Sequence, residues 1–188
     1  MATEMHQPGG SSGDEYWALR LAIAARGDLR ARLFLAGIAA WAAALIAVLA
    51  VLPYPLTSMI PLAVLVAAFE AIRPLHFGAE RIGRYLQVFH EERGDAARPL
   101  GQTPAWERTA MVLGGGMPGA AGHPLYLPVF LIAAVVNYLG VILPGPLAEE
   151  LALLAIPHVA FVAWLLIADR AVRSQRAREL ARYRELLK

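Results

Sequence analysis

Four apolar runs divide the chain. The first, residues 33–52, has no charged side chain in 20 residues, enough for a helix to cross a hydrocarbon core of roughly 30 Å. Pro53, Tyr54 and Pro55 turn the chain, because proline lacks an N–H and disfavours helix in the residue before it. A second run, residues 56–72, follows at once. At 17 residues it is at the short end for a span, so its end with Glu70 is expected among the headgroups. The third run, residues 125–143, and the fourth, residues 147–168, are joined by Pro144, Gly145 and Pro146, which mirrors the first turn. The pattern predicts an all-α polytopic membrane protein. Four transmembrane helices form one domain over residues 14–188, behind a disordered small and polar tail at 1–13.

The pattern changes between the second and third runs, in a loop of residues 73–124 that opens with a dense charged stretch. After Pro74, Leu75, Ile82, Leu86 and Phe89 recur at helical spacing, and His76, Glu80, Arg84, Gln87 and Glu91 recur on another face. This predicts an amphipathic helix lying on the membrane surface with its apolar stripe down, a setting that suits Arg81, Arg84, Tyr85 and Phe89. A short second helix is expected from Thr103 and Pro104 through Trp106 to Gly114. Residues 114–122, with five glycines and Pro118, read as a hinge. Its end, Ala120, Ala121 and Gly122, lacks the lysine and hydroxyl of a phosphate-binding loop. Before the first span, a helix is expected from Asp14 with Trp17, Leu21 and Ala24 on one side, a break near Gly27 and Trp17 in the interfacial belt. Residues 169–188 continue the fourth span as a basic helix.

Charge placement adds an orientation. Mean hydropathy is +0.50 and the pI about 9.2, while only 17% of residues are charged, against roughly 25% in soluble domains. Four arginines precede the first span, six lie between the second and third, and seven basic residues follow the fourth. The two tight turns hold none. Basic residues are retained on the cytoplasmic side, so both termini are expected there, in a cytoplasmic membrane of the bacterial inner-membrane type. The first run is too long and too far from the start for a secretory signal. With no cysteine, thiolate catalysis, disulfides and sulfur-ligated metal are excluded.

Few polar groups enter the spans. His158 follows Pro157 in the fourth and Asn137 lies in the third. The histidine either hydrogen-bonds Asn137 or a carbonyl freed by Pro157, or serves as a proton relay or ligand group. Glu149 and Glu150 suit the positive end of the fourth helix. The first span reads as free of polar groups, with Ala36, Ala40, Ala44 and Ala47 beside Gly37 on a close-packing face. In the loop, His76 and Glu80 stand four apart, and with Glu91 they are weak metal candidates; the same spacing also gives ordinary helix pairs with Arg84.

No catalytic constellation, cofactor motif or nucleic-acid surface is expected. The leading reading is a membrane scaffold or accessory subunit. Its cytoplasmic face, with Arg73, Arg81, Arg84, Glu91, Arg173 and Arg176, contacts anionic lipid headgroups and docks a protein partner or a second copy. The alternatives are an oligomeric channel or carrier lined by His158 and Asn137, and a metal-dependent enzyme at the lipid surface.

Overall fold

The computed structural model describes residues 12–51, 54–92 and 125–186. The expected helix around Trp106, the glycine segment and the tail 1–11 lie outside the described residues. Helix α1 is Ser12–Val51, 40 residues long. A short 3-10 turn, Pro55–Ser58, leads into α2, Met59–Leu86, which ends in a π-helical turn, Gln87–Glu92. Helix α3 is Leu127–Ile142, and α4 is Ala148–Glu185, 38 residues long. Three of these helices are long and apolar enough to cross a membrane; α3 is apolar but has only 16 residues, about 24 Å.

The turn between α3 and α4 forms as its sequence dictates. Gly145 takes a φ of +70°, a region costly for residues with a β-carbon, and donates its N–H to the Ile142 carbonyl at 3.1 Å. Helix α4 then starts with Glu150 accepting the Leu147 N–H at 3.0 Å, which satisfies a donor that the helix itself leaves orphaned.

Two expected breaks are absent. Helix α1 runs through Gly27 without interruption; one glycine costs about 1 kcal/mol, and packing along α2 outweighs it. Helix α2 likewise passes through Pro74, although proline withholds an N–H from the Glu70 carbonyl. The neighbouring turn is clamped instead. Arg73 reaches Glu70 Oε2 at 2.9 Å, and the Trp164 indole of α4 donates to Glu70 Oε1 at 2.6 Å.

The charged stretch is therefore no separate surface helix. It prolongs the second apolar run as one helix, between α1 and α4, and both of its faces are used: Leu86 is buried, and so are His76, Arg84 and Gln87. Trp17 lies on the same continuous helix as the first apolar run, about 24 Å along it from Leu33.

In the apolar section, Phe69 meets Phe130 and Phe161 edge-on, with Leu65, Ile72 and Leu165 filled in around them. The outward positions are apolar too, including Leu35, Ile46, Ile132, Leu139, Ile156 and Ile167. Such a surface belongs against hydrocarbon rather than water.

Of the small residues in α1, Gly37 makes the close approach. A β-carbon there would lie 2.5 Å from the Ala68 β-carbon of α2, while Ala36, Ala40 and Ala47 face outward. Gly37→Val is accordingly expected to push α1 from α2 and to destabilise by about 2 kcal/mol, read as a lower thermal midpoint in detergent. Ala40→Val should change it little.

Candidate functional site

In the apolar section, polar groups from several segments converge on one side chain. Asn137 is fully buried on α3. The Trp41 indole of α1 donates to its Oδ1 at 3.2 Å, and because an indole N–H only donates, this fixes the amide orientation. Asn137 Nδ2 then donates to the Ser58 carbonyl at 3.1 Å and to His158 Nε2 at 2.9 Å. His158 Nδ1 lies 2.7 Å from the Leu154 carbonyl. A carbonyl only accepts, so Nδ1 carries the hydrogen and Nε2 receives the bond from Asn137. Tyr138 packs edge-on against the imidazole at 5.1 Å.

This hub joins all four apolar segments, one group from each. His158 does pair with Asn137, as one of the sequence alternatives has it, but the carbonyl it uses is that of Leu154, one turn before it. The first span also contributes a polar group, contrary to expectation. Trp41 is the residue that sequence reasoning misses, because an indole in an apolar run reads as bulk; its N–H, which seeks a partner when buried, is the available signal.

A second constellation ties together the charged ends of α1, α2 and α4. The Arg84 side chain is only 3% exposed; its Nε donates to Glu179 Oε2 at 2.8 Å and its Nη1 to Glu80 at 3.1 Å. Burial pushes the Glu179 carboxyl up, but hydrogen bonds from Gln175 and Arg84 and the charges of Arg84 and Arg81 outweigh it, so Glu179 is held below its ordinary value. Tyr85 donates to Glu15 of α1 at 2.9 Å, stacks on Phe89, and meets Tyr183 of α4 edge-on. Deeper, Arg30 reaches His76 Nδ1 at 3.0 Å and lies over the Tyr126 ring at 5.7 Å. Tyr126 in turn stacks on Phe34.

The six residues proposed from sequence as contact groups are therefore not equivalent. Arg84 is spent inside the chain, Arg73 pairs with Glu70 and lies 5.1 Å over Trp164, and Arg173 pairs with Asp169. Arg81 is 64% exposed and Arg176 is exposed; the Glu91 side chain lies outside the described residues. Among the described residues, no three histidine or carboxylate groups come together as a metal site. His76 is engaged by Arg30 and Glu80 by Arg84.

The N-terminal part of α1 also exposes apolar side chains. Trp17 and Leu21, one helical turn apart on α1, are 67% and 69% exposed. Sequence reasoning also finds them on one side of a helix and expects Trp17 in the interfacial belt. Comparison with known proteins finds no matching family model, no matching curated protein and no matching solved structure.

Proposed function

We propose that the chain is a membrane-embedded scaffold that holds a helical stalk on the cytoplasmic side and docks a protein partner on it. All four apolar helices cross the bilayer in this reading, with α3 as the short central span and both termini cytoplasmic. The arginine distribution supports that orientation.

One observation carries the docking reading. Trp17 and Leu21 stand exposed on a section of α1 beyond the apolar run, which in this reading projects clear of the lipid. A solvent-facing tryptophan beside a leucine at helical spacing is the composition of an interface anchor. Exposed arginines on α4, Arg176 and Arg182 among them, would favour a partner with an acidic rim. The hub supports the scaffold rather than the channel: both imidazole nitrogens of His158 and the amide of Asn137 are engaged within the chain.

The test is native mass after gentle extraction, compared between the wild type and Trp17→Ala/Leu21→Ala. A defined complex that collapses to the bare chain in the variant, with an unchanged thermal midpoint, is the expected outcome. A complex that survives the double substitution, or a wild type that runs as a homo-oligomer alone, overturns the reading.

A further inference from the structure

An open groove of about 390 Å³ lies along α2, lined by Glu70, Arg73, Pro74, Phe77, Gly78 and Arg81. Its position is set by the apolar run that ends at Ile72, so it begins where the hydrocarbon ends. From Glu70 to Arg81 it covers about 16 Å of helix, so it crosses a headgroup layer of roughly 5 to 7 Å and extends beyond it. Trp164 and Arg73, stacked at 5.1 Å with Glu70 between them, mark that level.

The groove has two chemically distinct parts. Pro74 and Phe77 give it an apolar floor. The other part is cationic: the Glu70 charge is matched by Arg73, and Arg81, 64% exposed, shares Glu179 at 3.6 Å with Arg84, so most of its guanidinium still faces the groove. A second cation, Arg26 of α1, stands beside the lining rather than in it. Gly78 has no side chain, and Arg26 lies across it, with its Nε 3.2 Å from where a β-carbon would stand. Among the described residues no carboxylate pairs with Arg26.

We propose that this groove binds the headgroup of one anionic phospholipid. Arg26 and Arg81 hold the phosphate, and Phe77 and Pro74 lie against the glycerol end of the acyl chains. Arginine suits the task because its planar fork matches phosphate oxygens two at a time. The site rests on the membrane reading and not on partner docking.

Native mass spectrometry of the purified full chain in neutral detergent tests it, with phosphatidylglycerol or phosphatidylcholine titrated in. The wild type should retain a first phosphatidylglycerol with about tenfold preference over phosphatidylcholine, and Arg26→Gln/Arg81→Gln should reduce that preference to about twofold or less. Arg176→Gln/Arg182→Gln, which removes the same charge from the far end of α4, should leave it intact. Equal retention of the two lipids by the wild type overturns the proposal. So does an equal loss in both double variants, which would mean net charge rather than a site. Displacement of the bound lipid by inorganic phosphate at equal concentration also overturns it, since the floor would then contribute nothing. Failure here leaves the Trp17 test untouched, because that test reads a protein partner in a different variant.

Discussion

Asn137→Leu is expected to lower the stability of the purified protein by about 3 kcal/mol, measured by denaturant titration in mixed micelles. The substitution severs the bonds from Trp41, to the Ser58 carbonyl and to His158 at once. Interhelical hydrogen bonds in membranes average only about 0.6 kcal/mol each, so their loss alone accounts for about 2 kcal/mol. The remainder comes from a branched side chain forced into a fully buried site between helices. His158→Leu should cost less, because it leaves Asn137 its bonds to Trp41 and Ser58. The two changes together should cost less than their sum by about 1 kcal/mol, since they share one bond. A change of less than about 0.5 kcal/mol for Asn137→Leu would remove the structural role of the hub and return His158 to the relay reading.

The parts of the fold governed by local chemistry were legible in the sequence. The prolines around Tyr54 and around Gly145 mark turns, and the described residues show a 3-10 turn at Pro55–Ser58 and a positive φ at Gly145. The all-helical architecture follows from the long charge-free runs, and the pairing of His158 with Asn137 follows from the scarcity of other polar partners in the apolar section.

What was not legible depends on which helices lie alongside. Gly27 and Pro74 are helix breakers by propensity, yet α1 and α2 pass through them because each is held along its length by the other. Once those two helices are continuous, Trp17 sits on the same helix as the first apolar run and the charged stretch on the same helix as the second. The polar face of that stretch then turns inward, toward Glu179, a residue 95 positions away from Arg84. Sequence spacing shows Glu80 as a neighbour of Arg84 but carries no trace of the α4 carboxylate that completes the pair.

That long-range pair leads to the other large effect. Arg84→Met keeps most of the side-chain volume and removes the charge, and it is expected to destabilise the stalk by about 3 kcal/mol. Breaking a buried ion pair from one side typically costs about 3 to 5 kcal/mol; the lower end applies because Glu179 is partly exposed and keeps Arg81 within 3.6 Å. Arg81→Gln, by contrast, removes a largely exposed cation and should cost under about 1 kcal/mol. The acid side of the profile separates an ion pair from simple packing. Glu179 is held below its ordinary value, so its contribution to stability is present above the unfolded Glu pKa of about 4.3 and is lost as the pH falls through the lowered folded value. The wild type should therefore lose stability over that interval, while Arg84→Met, already lacking the main partner, should lose much less. The gap between the two should be wide at neutral pH and narrow as Glu179 protonates. A gap that stays constant with pH would assign the effect of Arg84 to its packed methylene stem, and the stalk would then be held by Tyr85, Phe89 and Tyr183 rather than by charge.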